Sequence, residues 1–218
     1  MSPRDPVQNK LMREQSRARI TAAALELFAQ RGFEATSLSA VTRAAGVSQG
    51  LASYYFSTKR DLLASVFAAW LDQICGLMIS AGEEEDPERG LARLIDGVLT
   101  GAGANLSVTR LMLALMVQPS ARSVFAEVET ASAERVAAAE AAVESLFAAR
   151  GAEDPALEHV MFRSVLEGVT FKLAVYEDTY PLEDARRHLY RLYRLPEPQP
   201  LFAERTGPIR LRAARPEA

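Results

Sequence analysis

Apolar residues recur at intervals of three and four along most of the chain, which is the repeat of a helix that buries one face. The alternating Val, Ile, Thr and Tyr runs that predict strands are missing between Lys10 and Leu195. The first clear stripe consists of Ile20, Ala24, Leu27 and Phe28. Gly32 follows this stripe as a left-handed cap. The pattern therefore predicts an all-α protein.

Small polar residues, glycines and prolines divide this pattern into separate helices. Two short helices are predicted, one from Thr36 or Ser37 to about Ala44 and one from a Ser48 cap to about Phe56. Longer helices are predicted over residues 61–80, 120–150, 155–178 and 182–195, with breaks at Gly101, Gly103 and Pro119. The five prolines in residues 196–218 predict a tail without fixed structure.

Residues 36–56 have the pattern of a helix-turn-helix. Two helices of about two turns each are joined by a turn that contains glycine, which lets the second helix cross the first steeply. Apolar positions that can pack against each other across this turn are Leu38, Val41, Ala45, Ala52 and Phe56. The opposite face of the second helix is then free for another partner.

The free face of the second helix carries side chains suited to DNA. It presents Gln49, Gly50, Ser53 and Tyr54. Glutamine can read base edges in the major groove, and a Ser48 cap would aim the positive end of the helix dipole outward. Donors to phosphate flank this face at Thr36, Ser37, Tyr54, Tyr55 and Lys59. The aromatic run 54–56 cannot all be core, because successive helical residues turn by about 100°.

Charge is distributed unevenly. The net charge of −3 alone argues against a nucleic-acid partner. Residues 1–60, however, hold nine Lys and Arg against four acids, and the remainder holds 16 bases against 24 acids. A basic head on an acidic body suits a polyanion partner, and a chance excess on a solvated face explains the same numbers. Charge by itself leaves both interpretations open.

The run ATSLSAVTRAAGVSQGLASYYFSTKRDLL, preceded by LFAQRGF, resembles the DNA-binding head of the TetR family of bacterial regulators. The resemblance covers about residues 16–67 and rests on RGF, the Thr-Ser start, AGVS in the turn, YYF and the following lysine. It implies nine or ten helices, a dimer and a C-terminal ligand pocket. By position, it implies that Gln49, Gly50 and Ser53 face bases. It also implies that the phosphate backbone is contacted by Ser37, Leu51, Tyr54, Tyr55 and Lys59.

The sequence departs from the common family pattern at two of these positions. Ser53 stands where the family often has Tyr, and Leu51 where it often has Thr. The operator sequence therefore stays open. We expect four segments, namely a flexible basic arm (1–15), a helix-turn-helix DNA-binding domain (16–60), a larger helical ligand-binding and dimerisation domain (61–195) and a Pro-rich tail (196–218).

Two sets of residues in the C-terminal domain are candidates for ligand binding and dimerisation. The predicted pocket is lined by Trp70, Ile74, Met78, Met112, Met116, Phe125, Phe162 and Val165. Methionine suits irregular cavities, although each of these residues taken alone is better explained as ordinary core. The predicted dimer interface, a four-helix bundle from the last two helices of each subunit, comprises Leu166, Gly168, Leu173, Leu189 and Leu192.

No catalytic residue, cofactor or metal site is predicted. Asp184 and His188 are four residues apart, but a surface ion pair explains them better than a metal site. Cys75 is the single cysteine, which excludes a disulfide within the chain and fits a reducing cytoplasm. We expect neither a signal peptide nor a run approaching the ~20 apolar residues that span a bilayer.

The sequence thus predicts a cytoplasmic, homodimeric and ligand-responsive transcriptional regulator. In the favoured form it is a repressor that a small, mainly apolar molecule releases from a palindromic double-stranded operator. The alternatives are a helical enzyme and a small-molecule-binding module without DNA binding. A specific, salt-sensitive gel shift distinguishes the regulator from both.

Overall fold

The computed structural model describes the backbone of residues 6–198 and the side chains from Met12 onward. Within this range the chain forms ten α-helices, one short 3₁₀ helix (Glu177–Thr179) and no strand. The α-helices are α1 (Pro6–Arg31), α2 (Leu38–Ala44), α3 (Gln49–Tyr55), α4 (Lys59–Gly82), α5 (Pro87–Ala104), α6 (Leu106–Val117), α7 (Pro119–Ala131), α8 (Ala133–Ala149), α9 (Pro155–Tyr176) and α10 (Leu182–Leu192). The predicted all-α class is confirmed.

The first compact unit combines the chain through Asp72 with Leu111–Ser132. It therefore holds α1 to α3, the first part of α4, most of α6 and all of α7. The predicted stripe on α1 is buried, with Ile20 and Phe28 at most 1% exposed. Helix α7 packs on α4 through Phe125, whose ring lies 5.3 Å from that of Phe67 and 5.9 Å from that of Trp70.

The second compact unit combines Gln73–Arg110 with the chain from Ala133 onward. Its core is formed by residues of α4, α5, α8, α9 and α10. Its larger members include Leu91, Leu94, Ile95, Leu99, Leu146, Phe147, Phe162, Leu166, Leu189 and Tyr190. At the start of α5, a Cβ on Gly90 would lie 2.7 Å from both the Ala81 carbonyl and a methyl of Leu146. This close approach requires glycine.

A buried arginine joins α5 to α10 within this second unit. The Arg186 side chain is 2% exposed, and it donates to the two Asp96 carboxylate oxygens at 2.6 Å (Nε) and 2.9 Å (Nη2). The Tyr190 hydroxyl donates to the same carboxylate at 2.8 Å. Glu183 adds a second carboxylate 3.4 Å from the guanidinium. The buried charge is thereby paired and hydrogen-bonded, as a charge in a core must be.

Several helix boundaries differ from the prediction. Residues 120–150 form two helices separated at Ser132, whose N–H donates to the carbonyls of Val128 and Glu129. Helix α5 continues through Gly101, because a glycine costs only about 1 kcal/mol in a helix and burial of the other face outweighs it. The next break comes at Asn105, whose side chain caps α6 through the N–H of Val108.

The domain divisions also differ from those expected. The predicted flexible arm is helical from Pro6 onward, and residues 1–5 lie outside the described part. The predicted boundary after residue 60 falls inside the first compact unit, which continues to Asp72 and takes in Leu111–Ser132. Of the predicted tail, residues 199–218 lie outside the described range.

One helix, α4, is long and apolar enough to cross a membrane by length and composition, and α5 and α6 pass the same test as a pair. The expectation that no run approaches this length is therefore wrong for α4. Core helices of water-soluble proteins pass the same test. In α4, Leu62, Leu63, Val66 and Phe67 are at most 1% exposed, because they face the core of the first unit.

Candidate nucleic-acid interface

Two serines start the helices of the helix-turn-helix. The Ser37 hydroxyl accepts from the N–H of Ala40 at 3.2 Å, and the Ser48 hydroxyl accepts from the N–H of Leu51 at 3.2 Å. Each serine has the extended backbone typical of an N-cap. The predicted Ser48 cap is therefore present, and of the two candidates for the first cap the structure selects Ser37.

The turn between α2 and α3 closes through Gly46, whose φ of 63° lies in the left-handed region that favours glycine. The N–H of Val47 donates to the Thr42 carbonyl at 3.3 Å. On the inner side, Ala52 of α3 and Phe56, which caps its C-terminus, are at most 1% exposed. The inner face of α3 is thus fixed by packing, and its orientation follows from the turn.

The outer face of α3 is open. Gln49, Gly50, Ser53 and Tyr54 are exposed, and Leu51 and Tyr55 are half-buried. Tyr54 is the most open of these aromatic rings at 68% exposure and packs edge-on against Tyr55 at 5.2 Å. No atom lies within 4 Å of a Cβ built on Gly50. A short capped helix with one face buried and the other open can enter a DNA major groove.

Two predicted phosphate donors have other roles. Thr36 is 2% exposed, and its hydroxyl donates to the carbonyls of Gly32 at 2.8 Å and Leu27 at 3.3 Å. Thr36 therefore stabilises the end of α1, and its assignment as a DNA contact is corrected. Lys59 Nζ donates to the carbonyls of Phe33 at 2.9 Å and Glu34 at 3.1 Å, and its contact with phosphate stays a prediction.

The predicted ligand-pocket residues are divided between the two compact units. Trp70, Met112, Met116 and Phe125 belong to the first, and Ile74, Met78, Phe162 and Val165 belong to the second. Phe162 is core, since its ring lies 5.6 Å from that of Phe147 and 5.0 Å from that of Tyr193. Met78 and Val165 pack against the same core.

An open cleft of about 490 Å³ lies elsewhere in the second unit. Its lining consists of Leu77, Arg93, Asp96, Gly97, Thr100 and Gly101. None of these residues was predicted from the sequence, because they are mostly polar or small and do not continue the apolar stripe of α5. Asp96 already binds Arg186 and Tyr190, and Arg93 pairs with Glu84 at 3.1 Å.

The predicted dimer residues point in two directions. Leu166, Leu173 and Leu189 are at most 5% exposed inside their own subunit, so they cannot form an intersubunit seam and this expectation is corrected. Gly168 and Leu192 lie on the surface. The opposite side of α9 carries five apolar residues that are 50–55% exposed, namely Leu157, Val160, Met161, Phe171 and Val175. We call these five residues the α9 stripe.

The two histidines lie on different helices, His159 on α9 and His188 on α10. No group of three or more His, Cys, Asp or Glu side chains suited to a metal occurs among the residues that the structure describes. His159 is 6% exposed, and burial, together with Arg163, lowers its pKa. Asp184 pairs with Arg187 at 2.7 Å rather than standing free for His188.

These features define a class of protein: an all-helical chain whose N-terminal unit carries a helix-turn-helix with an open second helix. Residues 20–66 match the family model described as "Bacterial regulatory proteins, tetR family". The match covers the helix-turn-helix segment, 47 of the 218 residues, and agrees with the resemblance found in the sequence. The HTH-type transcriptional regulator BetI of Ectopseudomonas mendocina (strain ymp) is 33% identical over 84 residues, which cover 37% of this chain and 43% of BetI. The chain thus matches less than half of that relative's length.

Solved structures extend the likeness of the fold to most of the chain. The fatty acid degradation regulator FadR from Bacillus halodurans superimposes with a TM-score of 0.67 at 20% identity, over 88% of this chain and 96% of that one. FadR from Bacillus subtilis, solved in complex with stearoyl-CoA, gives a TM-score of 0.66 at 18% identity, over 80% and 96%. At these identities the likeness concerns the fold.

Proposed function

We propose that the protein is a transcriptional regulator that binds operator DNA through α3. The observation that carries this proposal is the open outer face of a capped, tightly anchored α3 within a TetR-family domain. In this proposal Gln49, in the first turn of α3, reads a base edge through its amide. Tyr54 and Ser53 lie beside it, with hydroxyls suited to phosphate or base contacts. Such a regulator acts where the DNA is, in the cytoplasm.

The test uses a duplex selected from random sequences by the full-length protein and a scrambled duplex of equal length. Fluorescence anisotropy should show tighter, salt-sensitive binding to the selected duplex. Gln49→Ala should relax discrimination at one base pair, at a cost of about 1–3 kcal/mol there. Gln30→Ala, an exposed glutamine on α1, serves as the matched control and should leave discrimination unchanged.

Equal affinity for the selected and scrambled duplexes would refute specific operator binding. No change in anisotropy with either duplex would instead favour the alternatives, a small-molecule-binding module without DNA binding or an enzyme.

We further propose that the second copy in a homodimer covers the α9 stripe. Leu157 and Met161 are four residues apart, as are Phe171 and Val175. Ser164 and Gly168 continue the same face between them at intervals of three and four, the spacing of helices that pack side by side. Gly168 lies within this line and has no atom within 4 Å of a Cβ position, which leaves room for close helix contact. Leu192 of α10 adds a further surface apolar residue, 54% exposed. Two such faces would form a four-helix bundle across a two-fold axis.

We propose that a small, mainly apolar effector binds in the first unit and lowers operator affinity. Trp70, Met112, Met116 and Phe125 all belong to the unit that contains the helix-turn-helix. Helix α7 is joined to the start of α4 by Arg60, which donates to Glu127 and, at 3.5 Å, to Ser123. A shift of α7 would therefore act on α4 directly at the base of the DNA-binding helices.

The consequence of such a shift follows from the geometry of a palindrome. Two recognition helices must stay about 34–36 Å apart to enter successive major grooves. A coupling free energy of about 1–3 kcal/mol would change operator occupancy about 5- to 150-fold, and DNA must weaken effector binding by the same factor. In this mechanism the protein is a repressor.

The effector proposal is tested through Trp70, the only tryptophan. Stearoyl-CoA is the first probe, because the Bacillus subtilis FadR structure contains it. Titration of the Trp70 fluorescence should give a weaker affinity in the presence of the selected duplex than in its absence. An identical affinity in both titrations would exclude ligand-driven release by this molecule.

A further inference from the structure

Arg19 of α1 reaches the turn of the helix-turn-helix. Its Nη2 donates to the Ala45 carbonyl at 2.6 Å and, at the longer distance of 3.4 Å, to the Gly46 carbonyl. These two carbonyls lie at the end of α2 and in the turn that leads to α3. Sequence reasoning counted Arg19 only as one of nine bases and assigned it no site.

The carbonyls that Arg19 contacts need such a partner. The last carbonyls of a helix lack intrahelical donors and carry the negative end of the helix dipole. The turn itself is closed by the N–H of Gly46 to the Arg43 carbonyl at 3.1 Å and by the Val47 N–H to the Thr42 carbonyl at 3.3 Å. To these two local hydrogen bonds the Arg19 guanidinium adds a charge-assisted one, with the Ala45 carbonyl, from 26 residues away in the sequence.

The turn is also shaped to admit the guanidinium. Gly46 has a φ of 63°, and a Cβ at that position would lie 3.2 Å from Arg19 Nη2. A side chain there would both strain the backbone and crowd the arginine. Gly46 therefore serves the turn and the approach of Arg19 at the same time.

We propose that Arg19 is a positioning residue for operator recognition: it fixes the turn from which α3 starts, and thereby the angle of the base-reading face. Ser48, which caps α3, follows Gly46 by two residues, so a movement of the turn is passed to the whole of α3. The inference rests on the proposed DNA-binding function. Because its charge is directed at backbone carbonyls, Arg19 acts on discrimination between sequences rather than on attraction to phosphate.

Arg17 provides a charge-matched comparison on the same helix. It is exposed, and its guanidinium lies 5.9 Å from the centre of the Phe56 ring. No hydrogen bond from Arg17 to the turn is recorded among the described residues. Arg17→Gln and Arg19→Gln each remove one positive charge within three residues of α1. Only Arg19→Gln removes the bonds to Ala45 and Gly46.

The experiment measures the affinity of the full-length variants for a duplex selected by the wild-type protein and for a scrambled duplex, over a series of salt concentrations. Arg19→Gln should lower the ratio of specific to non-specific affinity about tenfold or more, the effect expected for losing one hydrogen bond to a charged group. Arg17→Gln should weaken both affinities alike and change the ratio less than about twofold. Arg19→Lys, which keeps the charge without the planar fork, should recover part of the ratio.

Amide hydrogen exchange supplies a second readout that does not depend on DNA. Arg19→Gln should accelerate exchange in residues 43–50 and leave the α4 residues 62–67 protected. A purely structural effect would instead raise exchange throughout the first unit and lower both DNA affinities equally, and that outcome would overturn the inference.

The inference would also be overturned if Arg19→Gln and Arg17→Gln had equal ratios of specific to non-specific DNA affinity. If the wild-type protein itself fails to discriminate, the proposed function fails, and unchanged exchange in residues 43–50 would then overturn the role of Arg19 separately.

Discussion

Thr36 illustrates, at the scale of a single residue, how a side chain with suitable chemistry for DNA is used inside the fold. Its hydroxyl satisfies the Gly32 carbonyl at the end of α1. Thr36→Val keeps the shape and removes this hydrogen bond, so we expect the free energy of unfolding to fall by about 1 kcal/mol, as measured by urea titration. Operator affinity should be unchanged. A loss of operator affinity without a fall in the free energy of unfolding would contradict this role and indicate that Thr36 contacts DNA.

Lys59 leads to a second prediction at this scale. Besides its bonds to the carbonyls of Phe33 and Glu34, its Nζ lies 4.4 Å from the centre of the Phe33 ring. Lys59→Met should lower the free energy of unfolding by about 1–2 kcal/mol. Glu34→Gln removes only an ion pair with an exposed carboxylate and should cost at most about 1 kcal/mol in the same urea titration. Equal costs for the two variants would mean that the carbonyl bonds contribute nothing.

At the scale of elements, the contact between α5 and α10 depends on Asp96. Asp96→Ala would remove the carboxylate that accepts two hydrogen bonds from the buried Arg186 guanidinium, while Glu183 stays as a carboxylate 3.4 Å from it. Breaking a buried pair in this way costs about 3–5 kcal/mol, and we expect the lower end because Glu183 remains. Asp184→Asn, which removes the exposed partner of Arg187, is the control and should cost less than about 1 kcal/mol. Thermal and urea unfolding measure both, and equal losses would contradict a structural role for the buried pair.

The same contact predicts a loss of stability at alkaline pH. Burial, together with the hydrogen bond to Asp96 and the charge of that carboxylate, raises the pKa of Tyr190 from 10.0 to about 12. Below pH 10 the hydroxyl is protonated in the folded and unfolded chains alike. Between about pH 10 and 12 the unfolded chain releases the proton first, so the free energy of unfolding should fall through this window. Tyr190→Phe should make the fall shallower, and an unchanged slope would refute the assignment.

The sequence predicted best those helix ends that a particular residue enforces. Gly32, Ser48 and Pro119 all end or start helices where expected, because each changes the local backbone or supplies a cap. The break at Ser132 has no glycine or proline and lies in an alanine-rich stretch, so no local signal marks it. At Gly101 the sequence predicted a break that does not occur, since tertiary packing keeps this glycine-containing segment helical.

At the scale of the whole molecule, the α9 stripe predicts the oligomeric state. Phe171→Glu would place a charge in an apolar seam between two copies, and a buried unpaired charge is costly. Light scattering after size exclusion should show monomers, and affinity for a palindromic operator should fall because only one half-site is held at a time. Ala156→Glu places the same charge on an exposed position of α9 outside the stripe and should leave the mass unchanged. A Phe171→Glu protein that is still dimeric would show that the interface does not lie on the α9 stripe.

Which side of α9 faces outward could not be predicted from its sequence. Both sides are apolar, one through Phe162, Leu166 and Leu173 and the other through the α9 stripe, so periodicity allowed either to be core. Only the packing of α9 on α5 and α8 decides between them. The outer face of α3 was predictable because there the two sides differ in polarity.

The division of the first unit between two stretches of chain has a consequence for synthesis on the ribosome. The residues through Asp72 emerge about 60 positions before Ser132 completes the unit. At about 5–20 residues per second this delay is roughly 3–12 s. During it, Phe67 lacks the Phe125 ring that packs against it in the finished protein. We therefore expect the nascent DNA-binding segment to expose an apolar surface for seconds and to be a target for chaperones that bind such surfaces.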